Sequence, residues 1–207
     1  MALSGFFLLI FLLQHLIINA LSLGDGTSFN EASEFMGNNP IIQFIMQPIL
    51  AFAVVFHLIM GIYLDLKNKK ARVIRYQVSK PGTNSSWMSR NMIITGIMVL
   101  LFLGLHFYDF WFEELNYKYI QGGPDIATRY YPELLEKFES PVRTGLYVLA
   151  FIFLSLHLMH GFQSAFQSVG FRHRKYTPAI KKIGDVYAVL VPLGFIVIAV
   201  VHYVSHL

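Results

Sequence analysis

No cysteine occurs anywhere in the 207 residues. Disulfides, cysteine-ligated zinc and iron–sulfur clusters held by this chain are therefore excluded. Charge is scarce as well. Asp, Glu, Lys and Arg make up 14% of the residues against 55% hydrophobic, and the mean hydropathy is +0.53, whereas an ordinary soluble domain carries about 25% charged residues. The deficit is not spread evenly. Five stretches, 1–23, 41–64, 91–108, 144–170 and 186–207, hold none of the four charged residue types. A helix rising about 1.5 Å per residue needs roughly 20 such residues to cross hydrocarbon about 30 Å thick. Composition thus predicts one all-α membrane domain over 1–207, with five transmembrane helices forming a bundle.

The first stretch has no Lys or Arg at its start, as a secretory signal would, so it reads as a retained span. The connection 24–40 is polar and turn-rich, and 109–143 is long, acidic and rich in Tyr and Trp, which suit a lipid–water boundary. The net charge of +4 and pI near 9.2 could suggest nucleic acid. Placement says otherwise. Segments 65–90 and 171–182 hold 12 of the 16 Lys and Arg, while 24–40 and 109–143 hold ten of the 12 acids. Basic loops stay in the cytoplasm, so the N-terminus is expected inside and the C-terminus outside. The basic face is also where a soluble partner or anionic lipid would dock.

Histidine is the polar residue that recurs inside the apolar stretches. His15, His57, His106 and His157 fall one in each of the first four. An imidazole in a membrane helix is costly and faces a bundle interior when it binds or transfers something. With direction assigned, each acquires a depth. His15 and His106 fall in the outer half of the bilayer, and His57 and His157 in the inner half. Two axial imidazoles from different helices at one depth are what a six-coordinate b haem requires, and bundle cores are where such cofactors sit. The expected pairs are His57 with His157 for an inner haem and His15 with His106 for an outer one. Gly61 and Gly161, one turn after His57 and His157, would leave room for the flat macrocycle.

Alternatives stand beside each assignment. A lone membrane histidine also serves as an interhelical hydrogen-bond partner. His160, one turn from His157, is the rival ligand, or a partner for a haem propionate or a quinone oxygen. His202 reads as structural, and His173 and His206 as solvated. Thr95, Thr144 and Ser155 are candidates to hydrogen-bond the second nitrogen of a ligand histidine.

The residues carrying these features are His15, HLIMG at 57–61, GLHFYDFW at 104–111 and HLMHGFQSAFQSVG at 157–170, with the linkers NEASEFMGNNPIIQ at 30–43 and SSWMSRNMIITG at 85–96. Together they resemble the cytochrome b558 membrane subunit of bacterial succinate:menaquinone oxidoreductases and fumarate reductases, a single-polypeptide, five-helix, two-haem anchor. That resemblance implies one haem ligand on each of the first four spans, at His15, His57, His106 and His157. It further implies an assembly in the bacterial cytoplasmic membrane. A flavoprotein and an iron–sulfur subunit would dock on the basic face, near Trp87, Arg90, His160 and the loop 65–90, with a higher oligomer as one arrangement. Electrons would pass to the inner haem, the outer haem and menaquinone or another quinone. Glu31, Glu34 and His160 are the quinone-site candidates, each also readable as a plain surface or structural group. Arg143 could hold an outer haem propionate or act as an interfacial anchor. Two rivals remain: the dihaem anchor of a nitrate reductase or formate dehydrogenase, and a haem-free transporter or assembly protein.

Overall fold

The structure, a computed structural model, describes residues 1–70, 91–123 and 126–206. Trp87, Arg90 and most of the basic loop 65–90 lie outside the described residues. Among those described, every regular element is helical. Five helices are long and apolar enough to cross a membrane: α1 (Ala2–Leu23), α3 (Ile42–Lys70), α4 (Met92–Ile120), α6 (Pro141–Ser168) and α7 (Thr177–Val204). Two shorter helices occupy the acidic connections, α2 (Thr27–Asn38) and α5 (Tyr130–Phe138).

Helix ends and the ends of uncharged stretches do not coincide. α4 continues twelve residues beyond Tyr108, through five-residue π-helical stretches at Phe107–Trp111 and Asn116–Ile120. α7 starts nine residues before the uncharged stretch, with Lys181, Lys182 and Asp185 on its opening turns. Absence of charge marks hydrocarbon, whereas backbone hydrogen bonds continue into the water layer wherever side chains tolerate it. Beyond the uncharged stretches some charges find partners, as in Lys69 with Asp65 at 2.7 Å on α3 and Lys118 with Glu114 at 2.8 Å on α4. α6 begins sharply because Ser140 accepts from the Arg143 backbone N–H at 3.4 Å and Pro141 occupies the first turn.

α6 is the central helix. It packs against α1, α4 and α7, while α1 also meets α3 and α7. Two glycines of α7 allow the closest approaches. A Cβ at Gly184 would stand 2.6 Å from the Phe162 ring, and one at Gly194 would stand 2.9 Å from Leu16. Large apolar side chains such as Phe44, Phe52, Leu101 and Leu190 point outward, a surface that suits lipid rather than water.

The acidic connections meet at one end of the bundle and form a cap. Its apolar part joins Phe29 of α2, Leu134 and Phe138 of α5, Tyr147 and Phe151 of α6, and Val191, Phe195 and Ala199 of α7. Its polar part centres on Arg129, whose guanidinium lies between the rings of Tyr117 and Tyr130 at 4.2 and 4.3 Å and bridges Glu114 and Glu133. Burial works against the Arg129 charge, and the hydrogen bonds it donates to Glu114 and Glu133 more than offset it, raising its pKa above the ordinary value. The Tyr131 N–H donates to Asn30 Oδ1 at 2.8 Å, joining α5 to α2.

Gly26 sets how closely α2 and α5 pack. Its φ of 81° is left-handed, and a Cβ there would fall 2.4 Å from the Tyr131 ring. Gly26→Ala is expected to lose about 1–2 kcal/mol from the backbone alone, with the ring clash added. Thermal unfolding in detergent checks this; an unchanged midpoint would contradict the packing of the cap.

Candidate functional site: two facing pairs of histidines

The four histidines meet in twos across the bundle. His57 of α3 faces His157 of α6, with ring centres 6.4 Å apart and planes at 70°. His15 of α1 faces His106 of α4 at 5.7 Å and 82°. These are the pairs expected from depth. Of the two histidines of α6 in this region, His157 turns its ring to His57, and His160 lies half-buried one turn toward the basic end.

The geometry suits a metal already held by an equatorial ring. Among the described residues no three of His, Cys, Asp and Glu come together. The histidines come in opposed twos, the number left over when a macrocycle supplies four nitrogens. Two imidazoles bonded at about 2 Å on opposite sides of one metal ion hold their ring centres about 6 Å apart. The observed 5.7 and 6.4 Å bracket that separation. An imidazole amid apolar helices is cheapest in its neutral form, which is also the ligating form. The residues present thus fit the two haems the sequence pattern suggests. His106 Nδ1, moreover, is a buried atom without a hydrogen-bond partner.

Packing around each pair fixes ring orientation. His15 stacks on Phe11 at 5.4 Å and touches Phe195, while His106 stacks on Phe102 at 5.7 Å and meets Phe110 and Tyr147. At the other pair, Thr95 Oγ1 lies 3.3 Å from His157 Nδ1, as the sequence suggested for that threonine. Ser155 is half-buried, and Thr144 donates to the Phe138 carbonyl at 3.1 Å instead. Ser4, which the sequence reading passed over, places its Oγ 3.3 Å from His57 Nδ1.

Gly61 and Gly161 occupy the expected turns. What lies over them is a methionine methyl: a Cβ at Gly61 would be 3.5 Å from Met1 Cε, and one at Gly161 would be 3.9 Å from Met92 Cε. Glu31 and Glu34 sit on α2 in the acidic cap, Glu31 exposed and Glu34 half-buried. His202 is buried, and its Nε2 lies 2.8 Å from Ser22 Oγ, whose own hydrogen goes to the Asn19 carbonyl. His202 therefore ties α7 to α1. His173 Nδ1 accepts from the Lys175 N–H at 3.1 Å in the basic loop, and His206 lies 3.7 Å from Glu139.

With this geometry in view, the comparisons are specific. The family model described as "Succinate dehydrogenase/Fumarate reductase transmembrane subunit" matches residues 1–76. A curated relative, the succinate dehydrogenase cytochrome b558 subunit of Bacillus subtilis (strain 168), is 23% identical over 155 residues, covering 75% of this chain and 69% of that protein. The chain is similar to succinate dehydrogenase and fumarate reductase membrane subunits. The resemblance read from the motifs is borne out. The part matched to the membrane-subunit model includes Ser4, His15, His57 and Gly61, which is one member of each histidine pair. No solved structure matches.

One charged residue inside a span was not singled out from the sequence. Asp109 is fully buried, one turn beyond His106 in a π-helical stretch. Tyr147 donates to its Oδ2 at 2.9 Å, and Arg143 Nη2 stands 3.5 Å from its Oδ1. Arg143 thus holds a carboxylate of the protein beside the acidic-end pair. Asp109→Ala leaves the Tyr147 hydroxyl without its acceptor and should cost ~3 kcal/mol, whereas Asp109→Asn keeps an acceptor oxygen and should cost less. Thermal unfolding of the two variants checks the order; equal losses would contradict the hydrogen-bonding role.

Proposed function

We propose that this chain is the dihaem cytochrome b membrane anchor of a succinate dehydrogenase or fumarate reductase, passing electrons between an iron–sulfur subunit and membrane quinone. The observation carrying this reading is the meeting of four membrane histidines in two opposed pairs. The family likeness supports the type of complex. The flavoprotein and iron–sulfur subunits are the implied partners, and they would bind at the basic end, taken as cytoplasmic from the charge distribution. The setting is a multi-pass protein of the bacterial cytoplasmic membrane.

Bound haem b contributes an iron that cycles by one electron. The protein holds and spaces the two sites. His57 and His157 would hold one haem at the basic end, and His15 and His106 would hold the other at the acidic end. Ser4 lies against the first pair and His15 belongs to the second, and the eleven-residue step from one to the other along α1 spans about 16 Å of helix axis. Gly61 and Gly161 keep the helix surface low beside the first pair. Arg143, already beside Asp109, is proposed to serve a haem propionate at the acidic-end site as well. The substrate on the membrane side is menaquinone or another quinone. Glu31, Glu34 and His160 are the groups proposed to serve it, the first two at the acidic end and the third at the basic end. Lipid fills the remaining apolar perimeter.

Replacing a ligand tests the assignment. His57→Ala or His157→Ala is expected to remove about half the haem of the purified chain, and His160→Ala to retain both haems. Haem content per chain and the reduced-minus-oxidised visible spectrum are the readouts. Full haem occupancy in the His57 or His157 variant would contradict the pairing, and loss of a haem on replacing His160 would move the ligand by one turn.

A further inference from the structure

The hydroxyls beside the basic-end pair are placed by a pattern that occurs twice in the chain. Residues 1–15 and 92–106 align without a gap as Met, two residues, Ser or Thr, Gly, five residues, Phe, three residues, His. The equivalent positions are Met1 and Met92, Ser4 and Thr95, Gly5 and Gly96, Phe11 and Phe102, His15 and His106.

The contacts repeat with the letters. Ser4 Oγ donates to the Met1 carbonyl at 2.7 Å, and Thr95 Oγ1 donates to the Met92 carbonyl at 3.0 Å. Each hydroxyl oxygen then lies 3.3 Å from the Nδ1 of an inner histidine. A Cβ at Gly5 would come 3.7 Å from His57 Cε1, and one at Gly96 would come 3.5 Å from His157 Cε1. Met1 covers Gly61 and Met92 covers Gly161. α1 therefore stands to α3 as α4 stands to α6. Two copies of one helical hairpin enclose both pairs.

We propose that Ser4 and Thr95 are positioning residues that hold His57 and His157 as Nδ1–H tautomers, turning both Nε2 lone pairs to the metal site between them. This rests on the reading that these two histidines flank a haem. A hydroxyl carries one hydrogen, and here it is committed to a backbone carbonyl. The oxygen can meet Nδ1 only as an acceptor, so Nδ1 carries the proton and Nε2 is left as the ligand. Hydroxyls bonded to the carbonyl three residues back are common in membrane helices. Two at equivalent positions, each reaching the ring of a facing histidine, require more than that local habit. Among the described residues the acidic-end pair has no such hydroxyl. His106 Nδ1 is without a partner, and His15 Nδ1 faces only the Asn19 amide, at 3.4 Å, which already donates to the His15 carbonyl. The lock belongs to one site and not the other. An N–H···O bond raises the basicity of a ligand imidazole and so favours the oxidised metal at that site.

Thr95→Val keeps the shape and removes the hydroxyl, and Thr95→Ser restores it. Ser4→Ala and Ser4→Thr make the same comparison on α1. Each full-length variant, purified from membrane, is followed by haem retention during dilution and by optical redox titration of both haems. Thr95→Val is expected to loosen one haem about tenfold and to raise the midpoint potential of that haem alone, with both values restored in Thr95→Ser. Ser4→Ala should do the same to the same haem, which keeps the test usable should Thr95→Val fail to assemble. Wild-type values for both haems in Thr95→Val and Ser4→Ala, or equal shifts at both haems, would overturn the tautomer lock while leaving the dihaem reading intact. A wild-type chain that binds no haem would instead overturn the reading beneath it.

Discussion

The arrangement of the membrane helices follows from the cost of an imidazole in hydrocarbon. A lone polar ring in a lipid-facing helix would forfeit its hydrogen bonds to water and gain nothing in return. The structure answers by bringing such rings together inside the bundle, His57 to His157 and His15 to His106. The pairing dictates which helices must be neighbours. α3 must reach α6 and α1 must reach α4, and α6 takes the central position. α7 supplies no ring to either pair. It seals the flank of α6 and α1 by close glycine contacts, and His202 fastens it to Ser22.

The acidic end is built on different physics. There the chain is wet enough to use charge, and Arg129 gathers Glu114, Glu133, Tyr117 and Tyr130 around one guanidinium. Exposed ion pairs contribute little individually, but a guanidinium held between two rings and two carboxylates loses much of its freedom to rearrange. The cap so formed lies over the pair of His15 and His106. Asp109 is the junction between the two regimes, a buried acid that accepts a hydrogen bond from Tyr147 of the bundle and lies 3.5 Å from Arg143 of the rim.

Much of this was legible in the sequence, and the reasons are physical. Five uncharged stretches mark hydrocarbon because a charge there is expensive, so the span count and antiparallel order follow directly. Depth follows from counting residues along those spans, which is why the histidine pairs could be named in advance. Helix ends could not. The continuation of α4 past Tyr108 depends on Asp109 finding Tyr147 and on Glu114 finding Lys118 and Arg129, contacts that no periodicity announces. Nor could α2 and α5, whose short amphipathic turns read as polar loop until they pack on each other. Ser4 is a different case. Its signal, the spacing shared by residues 1–15 and 92–106, was present in the letters, and it acquires meaning once both hydroxyls are seen against imidazole rings.

The family match and the geometry bear on different parts of the chain. The first covers residues 1–76 most specifically and includes one histidine of each pair. The second closes each pair with a histidine from α4 or α6, beyond that match. A cryo-EM density map of the chain purified from membrane tests the central claim most directly. The account predicts two flat densities, one between His57 and His157 and one between His15 and His106, each joined to both rings. Rings bonded directly to each other, with no density between them, would contradict it.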